Sequence, residues 1–203
     1  MEPVDVETLR FRAADGTELE GDRLTPADPV GAAVVCHPHP LYGGTRNDAV
    51  VAAISRTLVG AGLRTLRFDF RGAGGSSGTH GFGTDELLDV VAAIDAAAID
   101  DRPFVLAGYS FGADVALAVD DPRIDRWIAA APVLSVFSTF AAATDPRPKL
   151  LVAAAHDQFM AAAELSATVS TWTATEVAPI ESADHFFGGR FQRLEAAVST
   201  ALV

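Results

Sequence analysis

Ser110 stands at the centre of Gly108-Tyr109-Ser110-Phe111-Gly112, a G-x-S-x-G spacing with an apolar run before it and an alanine-rich helical pattern after it. A serine on a tight turn from strand to helix projects its hydroxyl above the sheet, where it can attack an acyl carbon. The following helix then aims its free N–H groups at any oxyanion that forms beside it. Glycines two residues either side let strand and helix pass close together. The same spacing recurs at Gly74-Gly75-Ser76-Ser77-Gly78, inside the glycine-rich loop 71–78. No helical pattern follows immediately there, so Ser76 and Ser77 read as parts of a flexible turn.

A serine hydroxyl is a poor nucleophile near neutral pH and needs a base that is itself oriented by an acid. In the chain order serine, acid, histidine, only His156 and His185 follow Ser110. His185 falls five residues past the last expected strand, on a loop before the closing helix. His156 abuts a strand, and its neighbour Asp157 is the first acid beyond that strand's end. Asp157 as the acid and His185 as the base therefore complete the set. Asp145, before Pro146, reads as a turn aspartate, and Asp184 as a local loop or cap residue.

Acyl transfer also needs two donors for the oxyanion. One is the backbone N–H of Phe111; the other comes from the loop after an earlier strand, here His37-Pro38-His39-Pro40-Leu41-Tyr42-Gly43-Gly44. The prolines have no N–H, which leaves His37, His39, Leu41 or residues beyond, with His39 favoured between its two stiffening neighbours. His37-x-His39 has no further Cys/His/Asp/Glu cluster beside it, so no metal site is expected. Leu41, Tyr42, Phe137 and Phe140 are candidates for an apolar acyl pocket, against the reading that they pack under a loop.

Positioning these groups requires alternating strands and helices. Residues 6–11 and 19–24 flank an Asp15-Gly16 turn and read as an antiparallel hairpin. Buried strands are expected at 31–36, 63–70, 104–109, 126–134, 149–155 and 173–180. Helices are expected from Thr45 as cap to about Gly60, and over 84–99, 111–119, 161–170 and 190–201. The prolines and glycines of 37–44 argue against regular structure there. This pattern gives an α/β architecture: a mostly parallel sheet covered on both faces, capped at one edge by the hairpin, with function at the carboxyl ends of the strands.

The 203 residues, 49% hydrophobic, suffice for one domain over 1–203 with a substantial core. A net charge of −12 argues against nucleic acid or an anionic membrane as partner. Cys36, the single cysteine, lies in an apolar run and reads as a small core residue. The first residues, Met1-Glu-Pro-Val-Asp5, show no basic or apolar leader, so a cytoplasmic location is expected. No apolar run is long enough to span a bilayer. A homodimer stays open.

Taken together, residues 37–44, Phe68-Asp69-Phe70-Arg71-Gly72, 108–112 and Ala183-Asp184-His185-Phe186-Phe187 make the chain resemble the α/β-hydrolase superfamily. Within it, the chain resembles small, lidless bacterial hydrolases with a His-Pro-His-Pro-x-x-Gly-Gly loop. The resemblance implies a sheet of about eight strands, Ser110 as nucleophile, Asp157 as acid, His185 as base and an oxyanion hole from Phe111 and His39. Only residues 135–147 are available where this architecture often inserts a cap, too few for a lid domain. The expected activity is serine hydrolysis of small carboxylic esters or thioesters, with a small-molecule acyl substrate and no cofactor. The alternatives are an acyltransferase or lactonase on the same scaffold, and a catalytically silent binding domain.

Overall fold

Continuous apolar runs become strands when both of their faces are covered, and the middle of this chain is built that way. The strands are β1 (Asp5–Arg12), β2 (Glu18–Thr25), β3 (Gly31–Cys36), β4 (Leu63–Phe68), β5 (Phe104–Tyr109), β6 (Arg126–Ala130), β7 (Lys149–Ala154) and β8 (Thr175–Ile180). They form one eight-stranded sheet in the order β1-β2-β4-β3-β5-β6-β7-β8. β1 pairs with β2, and β2 with β4, antiparallel; every other pairing is parallel. The computed structural model describes residues 4–100 and 102–202; Met1–Pro3, part of the stretch that carried the expectation about export, lie outside the described residues.

Among the described residues five helices cover the sheet: α1 (Ala49–Gly60), α2 (Glu86–Ala97), α3 (Phe111–Ala118), α4 (Ala162–Thr168) and α5 (Phe191–Thr200). The period of two along each strand divides the core cleanly. Ala32, Val34, Cys36, Leu106, Leu151 and Ala153 pack with α2, α3 and α4. Their alternates Ala33, Val35, Val105, Ala107, Val152 and Ala154 pack with α1 and α5 on the opposite face. Val50, Val51, Ile54 and Leu58 are the buried stripe of α1, and Leu194 and Val198 that of α5. Cys36 is buried within β3, and burial pushes its thiol well above the ordinary range.

The expected mostly parallel sheet, edge hairpin and absence of a lid are all observed; residues 135–147 carry no more than a single 3-10 turn at Ala141–Ala143. Several boundaries differ from expectation, each for a local reason. Asp48, not Thr45, caps α1: its carboxylate accepts from the N–H of Val50 (2.8 Å) and Val51 (3.4 Å). Pro40–Tyr42 forms a 3-10 turn, which Pro40 tolerates because a first-turn N–H needs no helical partner. β4 stops at Phe68 because the N–H of Phe70 donates to His37 Nε2 (2.9 Å) and leaves the ladder. α2 begins at Glu86, after Gly83 at φ +101°, and not at Thr84. β6 stops at Ala130: Ala131 turns the chain at φ +43°, and the buried Asp114 carboxylate takes the N–H groups of Val133, Leu134, Ser135 and Val136.

The loop 71–78 is tied down, contrary to the flexible turn expected of it. Ser76 Oγ donates to the Asp69 carbonyl (2.6 Å) and accepts from the N–H of Glu20 (2.9 Å), while Ser77 Oγ accepts from Glu18 (2.9 Å). Asp69 binds the N–H of Arg46 and of Gly75 and pairs with the Arg46 guanidinium. Arg71 is buried against Asp89, with Nη2 2.7 Å from the carboxylate. Ser76 and Ser77 thus stitch the loop to β2, a structural use of their hydroxyls.

Candidate active site

β5 ends at Tyr109 and α3 starts at Phe111, so Ser110 alone makes the turn, at φ +53° and ψ −121°. A non-glycine residue held there costs on the order of 1–3 kcal/mol. Hydrogen bonds on both sides impose it: the Ser110 N–H donates to the Ala130 carbonyl (2.9 Å), and its carbonyl accepts from Ala113 (2.9 Å) and Asp114 (3.1 Å). The turn is also too crowded for side chains at the motif's glycines. A Cβ on Gly108 would lie 2.3 Å from the Gly112 carbonyl oxygen, and one on Gly112 would lie 2.4 Å from that of His37.

Two further strand-end loops bring side chains to Ser110. The loop after β7 supplies Asp157 and the loop after β8 supplies His185. His185 Nδ1 lies 2.7 Å from Asp157 Oδ2, and His185 Nε2 lies 2.9 Å from Ser110 Oγ. A carboxylate can only accept, so Nδ1 carries the proton and Nε2 is left to accept from the serine hydroxyl. Ser110, Asp157 and His185 are all buried, at 8%, 6% and 4% exposure, which keeps water from competing for these bonds. The other Asp157 oxygen accepts from the N–H of Phe159 (2.8 Å) and Met160 (3.3 Å). The backbone of His156 donates to the Ala183 carbonyl (2.9 Å) and locks the two loops together, while the His156 side chain is exposed and outside the site.

Tyr109, the residue before the serine, was not singled out in the sequence. Its hydroxyl donates to the His185 carbonyl (3.1 Å), and its ring lies 5.5 Å from the imidazole. It therefore fixes the height of the histidine loop from beneath. Phe187, fully buried against the same face, anchors that loop on its other side. Asp184 accepts from the N–H of Phe186 (3.2 Å) and Gly188 (3.3 Å) and acts only within its own loop. Asp145 likewise accepts from Arg147 in a local turn.

The loop after β3 lies across the serine turn. His37 is wholly buried, with Nδ1 2.6 Å from the Pro38 carbonyl and Nε2 accepting from Phe70, so both ring nitrogens are used inside the fold. Burial lowers its pKa to about 4. The His39 ring packs on Phe111 (4.9 Å), Tyr42 (4.7 Å) and His80 (4.7 Å), and its Nδ1 accepts from the Leu41 N–H (3.3 Å). Burial, then His80, lowers the pKa of His39. No hydrogen bond among the described residues uses the backbone N–H of His39, and Phe111 opens α3, where N–H groups have no helical partner. Gly44 closes the loop where a Cβ would stand 2.1 Å from the Pro38 oxygen.

These loops enclose a cleft of about 370 Å³ lined by His39, Tyr42, Asp48, Ser110, Phe159 and Phe186, among others. Of the four residues expected in an acyl pocket, Tyr42 alone lines it. Leu41 is 63% exposed and lies outside, while Phe137 and Phe140 pack against the α2/α3/α4 core and each other. Both are half-buried there, and Phe140 also packs on Trp172 (5.7 Å). Phe159 and Phe186, which line the cleft instead, stand two residues from Asp157 and one from His185. Their proximity in sequence to those two was the available signal.

Comparison with known proteins agrees with this architecture. The model of the alpha/beta hydrolase family matches residues 26–202. An uncharacterized protein of Rickettsia prowazekii is 30% identical over 210 residues, spanning 96% of this chain and 88% of its own. An alpha-beta serine hydrolase homologue from Coxiella burnetii superposes with a TM-score of 0.88 at 29% identity, covering 100% of this chain and 99% of that one. A serine hydrolase without a lid from Xanthomonas campestris does so at 0.83 and 25%, covering 100% and 95%. Among the described residues, no helix is long and apolar enough to cross a membrane.

Proposed function

Because this chain belongs to the alpha/beta hydrolase family, we propose that it is a serine hydrolase that cleaves small carboxylic esters or thioesters through Ser110, His185 and Asp157. The observation that carries this reading is the continuous chain of bonds from Asp157 through His185 to Ser110, at 2.7 and 2.9 Å. It has the order and spacing that activating a hydroxyl requires.

In the first half of the cycle, Ser110 Oγ bonds to the acyl carbon while His185 Nε2 takes its proton. Asp157 holds the Nδ1–H and stabilises the imidazolium. Charge on the former carbonyl oxygen is met by the N–H groups of Phe111 and His39, each contributing on the order of 3 kcal/mol. The bond from the acyl carbon to the leaving oxygen or sulfur then breaks, and the Nε2 proton passes to that atom. In the second half, water gives a proton to His185 and its oxygen bonds to the acyl carbon. The bond from that carbon to Ser110 Oγ then breaks, and the Nε2 proton returns to Oγ, which frees the acid product and restores the serine hydroxyl. No cofactor takes part in these steps.

A fluorophosphonate probe is expected to label the protein and to leave Ser110→Ala unlabelled; equal labelling of both would remove the assignment. For the oxyanion donor, His39→Pro deletes the N–H and is expected to lower kcat by about 100-fold or more. His39→Ala keeps the N–H and is expected to lose less. Equal losses in the two variants would move the donor elsewhere.

A further inference from the structure

Two large aromatic side chains beside His185 have no evident structural duty. Phe159 and Phe186 are 56% and 58% exposed, although each stands within a well-fixed loop. Their rings meet the His185 imidazole edge-on from separate loops, with centroids 4.7 and 5.5 Å away and interplanar angles of 70° and 88°. Both line the cleft that contains Ser110. Leaving so much aromatic surface in water forgoes burial, and such surface marks a binding site when it rims a cleft.

The chemistry says which part of a substrate reaches them. His185 Nε2 must deliver its proton to the leaving atom, so that atom lies next to the imidazole, and whatever is attached to it runs past the groups that flank this ring. Phe159 and Phe186 are those groups; His39 and Phe111 belong to the oxyanion side. Charge narrows the choice further. No lysine or arginine occurs among the described residues lining the cleft, and Asp48 adds a carboxylate to it. An anionic leaving group would meet no cation there.

We propose that Phe159 and Phe186 form the leaving-group subsite, and that it selects esters whose alcohol portion is uncharged and aromatic or similarly flat and apolar. The assignment rests on the hydrolase reading above. In the step concerned, the Ser110 Oγ–acyl carbon bond forms, the acyl carbon–oxygen bond to the aryl alcohol breaks, and the His185 proton leaves on that oxygen.

The test compares naphthyl acetate with methyl acetate through kcat/KM, which covers every step up to release of the alcohol. In Phe159→Ala and Phe186→Ala the naphthyl-to-methyl ratio is expected to fall by about tenfold, the scale of one lost aromatic contact with its buried area. Along p-nitrophenyl acetate, butyrate and hexanoate, the relative values are expected to stay as in the parent. An unchanged naphthyl-to-methyl ratio overturns the assignment, as does a change confined to the acyl series, which would make the rings an acyl pocket. Phe159→Leu and Phe186→Leu keep apolar bulk and are expected to lower the ratio as well; a parental ratio in these would overturn the part assigned to the aromatic rings and leave it to apolar bulk. Fluorophosphonate labelling separates the two levels. A parent protein that is not labelled overturns the hydrolase reading itself, whereas labelled variants with a parental ratio overturn only the subsite.

Discussion

At the scale of single residues, the active face depends on polar side chains that are buried and fully used. His37 is the clearest case, because its two ring nitrogens hold the first turn of the early loop and the end of β4 together. The folded ring resists protonation down to about pH 4, whereas in the unfolded chain it protonates near ~6.5. Between those values the unfolded state holds more protons, so this residue's contribution to stability falls as the pH drops through that window. The loss amounts to on the order of 3 kcal/mol. His37→Gln can accept from Phe70 and donate to Pro38 without titrating. Urea unfolding at about pH 7 and about pH 4.5 is expected to show a shallower decline for His37→Gln than for the parent; parallel declines would show that His37 does not titrate in this way.

At the scale of elements, loop position is set by carboxylates that gather backbone N–H groups. Asp114 on α3 gathers four of them and thereby fixes the segment after β6. Burial raises its carboxyl above the ordinary value, and the four donors pull it back. Removing it strands these donors, so Asp114→Ala is expected to lower the unfolding free energy by about 3 kcal/mol or more. A calorimetric melt near that of the parent would show that water replaces the carboxylate. This also explains what could be read in advance. The strands of the core announced themselves as apolar runs, and Ser110, Asp157 and His185 lie one, three and five residues past a strand end, so chain order and strand ends were enough to single them out as candidates. Asp114 and His37 answer N–H groups distant in sequence, and no periodicity encodes such pairings. Tyr109 was hidden differently: it fills a variable position of the serine motif, and its bond to the His185 carbonyl spans 76 residues. Phe137 and Phe140 were left between two readings because a loop aromatic can turn into the core or toward a substrate, and the sequence does not encode which; in the fold they pack against the core and each other.

At the scale of the whole molecule, the net charge of −12 surrounds a cleft with no cationic lining among the described residues. Such a field repels anionic substrates over a distance set by salt. Raising the ionic strength from about 0.01 M to about 0.15 M shortens that distance from about 30 Å to about 8 Å. For an acyl-coenzyme A thioester, whose thiol portion carries phosphates, kcat/KM is expected to rise several-fold over this range. For an uncharged acetate ester it is expected to stay level. An equal response of the two would remove the field as a determinant.

The backbone of Ser110 carries a consequence for how an inactive form should be prepared. Its φ of +53° and ψ of −121° are imposed by neighbours and disfavoured for any residue with a Cβ. Replacement by alanine deletes the hydroxyl but leaves that tension in place, so the loops keep the arrangement they have around the serine. Replacement by glycine would release it, widening what the turn can do and loosening the register between β5 and α3. For trapping an intact substrate in the cleft, the alanine form is the faithful mimic; the glycine form trades fidelity for ease of folding.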